Sequence, residues 1–272
     1  MASLSSYISR IYSFVYLRGF KIWISYKTQV VLNVLSWVLP VFTYYFVGTS
    51  LGQRFISSIN TPNYTAFVVI GLAFQGYVSS VITTISGRMR NEQLFGTIEY
   101  YMLSPTGVFG MLFYSAAWGF VLNTINAIVI ILVGMGLGVS FINANILGAF
   151  IIIIELLIST LGLSMMAGGI VMITKQGNPI SFFFSTITTL LSGTVFPVSV
   201  LPKYIKLLSY AIPLTPALNG LRLALLDGAS LSQLSYYFIV LLIFDILLLP
   251  LGAYIYKIGF DIARKDGTLS EY

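Results

Sequence analysis

Six runs of apolar residues, each long enough to cross a lipid bilayer, constrain this chain more than any other feature. A helix needs about 20 apolar residues to span a hydrocarbon core of about 30 Å. Only 8% of the residues are charged, whereas a soluble domain carries about 25%. The sequence therefore predicts an all-α membrane protein. The predicted spans are Gln29–Leu51, Tyr64–Gly87, Met111–Val133, Ile146–Ile173, Ser181–Phe196 and Leu234–Tyr256.

The basic residues predict how the chain is oriented. Lys and Arg collect in the cytoplasmic segments of membrane proteins. If the N-terminus is cytoplasmic, ten of the fourteen Lys and Arg residues fall in inside segments. We therefore expect a multi-pass protein of the plasma membrane with both termini in the cytoplasm. This distribution also accounts for the net charge of +6 without a nucleic-acid partner. The outside basic residues would be Arg54, Lys203, Lys206 and Arg222.

The segment over residues 4–28 alternates apolar clusters with four basic residues and contains no acid. Such a pattern is typical of an amphipathic helix lying in the inner membrane interface. The alternative is a basic leader that only sets topology. We expect no cleavable signal peptide, because the first apolar run starts near residue 29 and is full length. The chain would then form one domain over 1–272, with an interfacial helix at 1–28, a six-span bundle at 29–256 and a cytoplasmic tail at 257–272.

The residue types that are missing exclude several chemistries. The chain contains no Cys and no His, so it has no disulfides, no Cys or His metal site and no His-dependent catalytic triad. It also lacks the GxxxxGK[ST] loop that holds nucleotide phosphates. We expect no metal or cofactor on this chain. Any dependence on ATP must come from a partner subunit.

The stretch "RMRNEQLFGTIEYYMLSPTG", residues 88–107, concentrates charge between the second and third spans. Leu94, Ile98 and Tyr101 recur on one helical face, while Glu92 and Glu99 lie on another. The pattern predicts an amphipathic helix that ends at the Ser104–Pro105 step. The predicted topology places it in the cytoplasm, where a soluble partner could contact it. The alternative is a helix that only rests on lipid.

A proline-rich apolar segment follows the fifth span. Pro197, Pro202, Pro213 and Pro216 interrupt residues 192–231, and proline at this density breaks any single spanning helix. The apolar pieces are too short to cross and too apolar for a free loop. They predict short helices that dip back into the outer leaflet, where protein or a water-filled cavity satisfies the broken backbone.

Two acids lie within predicted spans, Glu155 and Asp245. A carboxylate inside the membrane is costly and is by default a functional hypothesis. Both could instead tie helices together through hydroxyl partners. The Gly134–Gly138 and Ser164–Gly168 spacings are also consistent with close helix packing.

Polar and aromatic residues share a face on two of the spans. Such a face could line a cavity for an amphiphile, apolar with scattered hydroxyls, or it could be ordinary helix packing. The candidate cavity residues are Phe74 and Gln75 on the second span, near Phe67 and Tyr77, and Thr186 and Thr189 on the fifth, in line with Gly193 and Phe196.

Two stretches together resemble the ABC-2 family of ABC-transporter membrane subunits. "NEQLFGTIEYYMLSP" is similar to the family's cytoplasmic coupling helix, and "SGTVFPVSVLPKYIKLLSYAIPLTPALNGLR" resembles its external re-entrant element. The resemblance implies a dimer of permease subunits, each seated on a separate ATPase that binds ATP and Mg. The residues that it singles out are Glu92, Gly96 and Glu99 for ATPase coupling, and Gly193, Phe196, Pro197 and Pro202 for the re-entrant element. We expect Phe95, beside Gly96, to fill an apolar socket on the ATPase.

Three functions follow from these patterns. The first is an ATP-driven export permease for a hydrophobic or amphiphilic substrate such as a drug, lipid or glycolipid. The second is an ion- or proton-coupled secondary transporter that uses Glu155 and Asp245. The third is a membrane scaffold whose cytoplasmic helix docks a partner.

Overall fold

The fold is helical throughout the residues that the structure describes. The computed structural model describes residues 12–58, 63–96, 107–174 and 177–265, and no strand occurs within these ranges. A π-helix, Ser13–Phe20, and the short helix α1, Lys21–Ser25, precede the bundle. The remaining α-helices of these ranges are α2 (Lys27–Ser58), α3 (Tyr64–Leu94), α4 (Gly107–Gly136), α5 (Ile146–Thr174), α6 (Gly177–Leu191), α7 (Lys203–Ser209), α8 (Leu214–Leu225) and α9 (Leu231–Lys265).

Five of the described helices are long and apolar enough to cross a membrane, namely α2, α3, α4, α5 and α9. They confirm the predicted class, an all-α membrane protein. The predicted span Ser181–Phe196 corresponds to α6, which ends earlier, at Leu191, and has a shorter apolar part, Ser181–Leu191. The number of six spans therefore stays a prediction.

The N-terminal segment is helical where it is described, but in two pieces. The π-helix runs directly into α1, and Tyr26, with φ −93° and ψ 75°, separates α1 from α2. Gly19 lets this segment approach α4, because a Cβ there would lie 2.4 Å from the Trp118 ring. Residues 4–11 of the predicted interfacial helix lie outside the described residues, and its location in the membrane interface stays a prediction.

Helix α3 lies at the centre of the bundle and contacts α2, α4, α5, α6 and α8. It begins at Asn63, whose side chain accepts a hydrogen bond from the backbone N–H of Ala66 at 3.0 Å. Such an N-cap satisfies one of the free donors at a helix start. Most of the membrane-length part of α3 is buried, as expected for a helix that is apolar on all sides.

Helices α5 and α9 form the most extensive helix pair of the described bundle. Gly162 and Gly169 on α5 face Gly252 and Gly259 on α9. A Cβ on Gly252 would lie 2.2 Å from the carbonyl oxygen of Gly162, and one on Gly259 would lie 2.3 Å from that of Gly169. Only glycine permits such close backbone contact, which substitutes for hydrophobic driving force between membrane helices.

The small residues singled out in the sequence serve other contacts. A Cβ on Gly134 would lie 2.6 Å from the Val69 side chain of α3, and one on Gly168 would lie 3.2 Å from Ile85. Gly138 has no atom within 4 Å of that position and adopts φ +93°. Only the first glycine of the Gly134–Gly138 pair therefore lies at a helix contact.

Candidate functional site

The bundle presents different groups at its two ends. The coupling end holds the last residues of α3 and α5, Leu94 and Thr174, and the re-entrant end holds their first residues, Tyr64 and Ile146. Between them lie a cavity with polar lining groups and the acids Glu155, which is half-buried, and Asp245, which is buried. No three His, Cys, Asp or Glu residues cluster as metal ligands within the described ranges.

At the coupling end, polar contacts hold the last turns of α3. Arg88 and Glu92, one helical turn apart, form an ion pair with 2.9 Å between Arg88 Nε and Glu92 Oε1. Gln93 is buried and its Nε2 donates to the backbone carbonyl oxygen of Met172 on α5 at 3.2 Å. Phe95, two residues after Gln93, is 77% exposed. A fixed helix end therefore presents the large aromatic side chain of Phe95 to its surroundings, next to the exposed Leu94.

Helix α3 ends at Leu94, and Gly96 adopts φ +64°, the left-handed conformation in which glycine ends helices. The predicted helix over residues 88–104 therefore does not run on unbroken from α3, and its residues 97–104 lie outside the described residues. Glu92, expected to project toward a partner, is only 9% exposed and lies beside Arg88. Glu99 lies outside the described residues.

At the re-entrant end, the predicted prolines break the chain into short helices. Pro197 precedes a 3₁₀ turn at Val198–Val200, and Pro202 precedes α7. Gly193 adopts φ +77°, and a Cβ there would lie 2.9 Å from the side chain of Val198. Gly193 is buried, while Phe196 and Pro197 are half-buried and Pro202 is exposed. The predicted residues thus lie along one turn-rich segment between α6 and α7.

Arg222 on α8 ties this segment to the central helix. Its Nη2 donates to the carbonyl oxygens of Gly193 at 2.8 Å and Thr194 at 3.2 Å. Its Nε and Nη2 also donate to the carbonyl oxygen of Phe67 on α3, at 3.3 and 3.2 Å. Because the charge is buried, these carbonyl dipoles and the Phe67 ring beneath the guanidinium replace its lost hydration.

Sequence reasoning missed this role and counted Arg222 only as an outside charge. A signal was present, since Arg222 is the one cation of the apolar run "PALNGLRLALL". An isolated charge in an apolar segment requires internal partners. The backbone also approaches closely here, since a Cβ on Gly71 would lie 1.9 Å from the carbonyl oxygen of Thr194.

A cavity of about 280 Å³ opens between α2, α3 and α4. Two carboxamide oxygens in its wall, Gln75 Oε1 and Asn126 Oδ1, are buried without a hydrogen-bond partner among the described residues. Asn123 is held in place, because its Nδ2 donates to Ser80 Oγ and to the carbonyl oxygen of Gly119. The residues that line the cavity are Ser36, Trp37, Pro40, Leu72, Gln75, Gly76, Ser79, Ser80, Leu122, Asn123, Asn126 and Ile130.

Only one of the four predicted cavity residues, Gln75, lines this cavity. Phe74 is buried in the core and stacks on Tyr77 at 6.0 Å between ring centres. Thr186 and Thr189 lie on α6, and the Thr189 hydroxyl donates to the carbonyl oxygen of Ser185. Sequence reasoning missed the asparagines of α4, which face α3 from within a long apolar run.

The two intramembrane acids lie on the paired helices α5 and α9. Ser159 Oγ donates to Asp245 Oδ1 and also contacts the carbonyl oxygen of Glu155 at 3.1 Å. Glu155 Oε2 is buried and has no hydrogen-bond partner among the described residues. Asp245 thus has the hydroxyl partner expected of a structural acid, whereas Glu155 does not.

Long apolar helices, glycine-mediated helix contacts and short proline-separated helices at one end together define a multi-pass membrane protein. Residues 15–226 match the family model described as ABC-2 type transporter. The match covers most of the chain, and the protein therefore belongs to the ABC-2 type transporter family. It is a membrane transport component of the permease type. No curated protein matches the sequence.

Proposed function

We propose that this chain is the permease subunit of an ATP-driven exporter. It would provide the pathway for a hydrophobic or amphiphilic substrate, such as a drug, lipid or glycolipid. A separate ATPase subunit would bind ATP and Mg and hydrolyse the nucleotide. Family membership supports the permease role. These 272 residues contain no GxxxxGK[ST] phosphate-binding loop, and the proposal therefore assigns ATP hydrolysis to a separate ATPase.

The coupling end of α3 carries the proposal. An ATPase that changes shape can move a membrane helix only through a firmly held element. The hydrogen bond from Gln93 to Met172 on α5 holds the end of α3 against the bundle, and the Arg88–Glu92 ion pair links its last two turns within the helix. Phe95 beyond them is exposed and suits an apolar socket, because large aromatic side chains dominate binding energy at interfaces.

The two carboxylates predicted to bind the ATPase have different roles in this proposal. Glu92 acts within the chain, since it holds Arg88 and the last turn of α3. Phe95 contacts the ATPase, Gly96 forms the turn after α3, and Glu99 provides a charged contact with the ATPase. The permease would act as a dimer of two copies, with a domain over 1–272.

Co-purification tests the proposal. The chain should be expressed with a candidate P-loop ATPase, taken from a neighbouring gene where one is present, and extracted in mild detergent. We expect a stable complex, and Phe95→Ala should weaken it while leaving the amount of inserted permease unchanged. Ile173→Ala is the matched control, because Ile173 is also an exposed apolar residue at the coupling end. Equal complex recovery for both variants would refute the coupling role of Phe95.

In the proposed orientation the protein lies in the plasma membrane, and the coupling end and both termini lie in the cytoplasm. The native chain has no Cys, so single cysteines report without background. Asn91 and Ser140 are exposed at opposite ends of the bundle. Asn91→Cys should react with a membrane-impermeant maleimide only after lysis, and Ser140→Cys should react in intact cells. The reverse pattern would invert the topology.

A proton-coupled secondary transporter is the second candidate. The buried and unpartnered Oε2 of Glu155, close to the Ser159–Asp245 contact, favours it. Such a transporter would need no ATPase and would stop when the proton gradient is dissipated. Export that continues in the presence of an uncoupler but requires ATP would exclude this candidate.

A further inference from the structure

The cavity between α2, α3 and α4 is polar but uncharged. Hydroxyl and carboxamide groups provide its hydrogen-bonding capacity, and no Asp, Glu, Lys or Arg lines it within the part of the chain that the structure describes. An ionic group placed there would lack a counter-charge in a region of low dielectric constant, at high cost. The cavity therefore favours a neutral ligand.

The unpartnered atoms indicate which neutral ligand fits. Gln75 Oε1 and Asn126 Oδ1 are acceptors, and both are buried without a partner among the described residues. Buried polar atoms in native proteins are normally hydrogen-bonded. A ligand that completes this site must present donors, as hydroxyl groups do. A neutral group without O–H or N–H would leave both oxygens unsatisfied.

Gly76 keeps the cavity open at its α3 wall. A Cβ at this position would lie 2.3 Å from Asn123 Oδ1 and 3.4 Å from Asn126 Nδ2. Any larger residue would therefore displace the side chain of Asn123, one of the lining groups. The site depends on a glycine at this one position of α3, next to Gln75.

A row of aromatic rings leads from the N-terminal segment to the cavity. Tyr16 stacks on Phe20 at 6.2 Å between ring centres, Phe20 lies 6.4 Å from Trp23, and Trp23 stacks on Trp37 at 6.5 Å. Trp37 lines the cavity itself. The row offers an apolar path beside a polar pocket, which matches the two parts of an amphiphile.

We propose that this cavity binds the uncharged, hydroxylated headgroup of an amphiphile whose acyl chain lies along the aromatic row from Trp37 toward Tyr16. The inference names the substrate class of the proposed permease and rests on that function. Binding to the chain alone requires no ATPase. Failure of headgroup binding and failure of ATP-driven export are therefore distinguishable.

Photo-crosslinking of the full-length chain in lipid nanodiscs tests the proposal with three probes that share one diazirine-bearing acyl chain. The monoacylglycerol is neutral with hydroxyl donors, the methyl ester is neutral without donors, and the free fatty acid is anionic. We expect saturable labelling by the monoacylglycerol of the peptides around Trp23 and Trp37, where the acyl chain lies. The other two probes should label about tenfold less, as expected when one or two hydrogen bonds to buried groups are lost.

Variants locate the site. Gln75→Leu and Asn126→Leu should each lower monoacylglycerol labelling about tenfold. Thr43→Val, which removes a hydroxyl from an exposed position on α2 outside the cavity, should not. Equal labelling by the three probes on the unaltered protein would overturn the proposal, and so would unchanged labelling in both Leu variants. The cavity would then hold only water.

Discussion

The guanidinium carbon of Arg222 lies 3.4 Å from the centre of the Phe67 ring, and the same guanidinium donates to the carbonyl oxygen of Phe67. The two residues are 155 positions apart in the chain. Their contact joins α8 to the central helix α3, and two further hydrogen bonds extend it to Gly193 and Thr194. One buried cation therefore fixes the re-entrant segment against the bundle.

Removal of the Arg222 side chain should destabilise the protein. Arg222→Leu leaves the carbonyl oxygens of Gly193 and Thr194 without their donors, and we expect a loss of about 2–3 kcal/mol in unfolding free energy. Arg222→Lys should lose less unfolding free energy than Arg222→Leu but still be less stable than the unaltered protein, because an ammonium cannot reproduce the planar arrangement of guanidinium donors. Denaturant titration of the purified protein in micelles measures both changes.

A matched control for Arg222 is available on α9. Arg264 is exposed, so Arg264→Leu should change the unfolding free energy by less than about 0.5 kcal/mol. Equal stability of the Arg222→Leu and Arg264→Leu variants would show that the buried contact does not stabilise the fold.

Gly71 should tolerate no side chain. A Cβ there would lie 1.9 Å from the carbonyl oxygen of Thr194, so Gly71→Ala forces α3 away from the re-entrant segment, at a cost of about 1–3 kcal/mol. Gly87 lies on the same helix with no atom within 4 Å of its Cβ position. Gly87→Ala should therefore be neutral or stabilising by about 1 kcal/mol. Thermal unfolding of both variants compares them, and a similar loss in each would refute the steric argument.

Asp245→Asn separates a structural acid from a titrating one. The amide oxygen of Asn can still accept the hydrogen bond from Ser159. If the role of Asp245 is structural, the Asp245→Asn variant should therefore transport at a near-normal rate. A proton-coupled mechanism predicts severe loss and an altered pH dependence. Transport into proteoliposomes at several pH values decides between them, and Glu155→Gln provides the parallel measurement.

The helices and their breaks could be predicted from the sequence because they depend on local properties. Apolar runs of bilayer length gave all five long helices, and Pro197 and Pro202 marked the breaks that the structure contains. The end of α3 had a local signal in the sequence, because Gly96 stands where the helix stops. The sequence analysis did not use this signal, since the heptad spacing of Glu92 and Glu99 favoured a longer helix.

The contacts that build the sites could not be predicted in this way. Arg222 meets Phe67 only because α8 folds back onto α3, and no periodicity in either helix encodes that approach. The cavity depends on Asn123 and Asn126, which contribute little to the pattern of a strongly apolar helix. Such sites depend on tertiary packing, which overrides local pattern.

ATP-dependent, vanadate-sensitive export from proteoliposomes that contain the chain and its ATPase tests the central claim most directly. The account predicts export only with ATP, and about a tenfold or greater loss in Phe95→Ala, since truncation of an interface anchor costs about 2 kcal/mol or more. The Ile173→Ala control should export normally. Export that proceeds without ATP, or full export by the Phe95→Ala variant, would contradict the account.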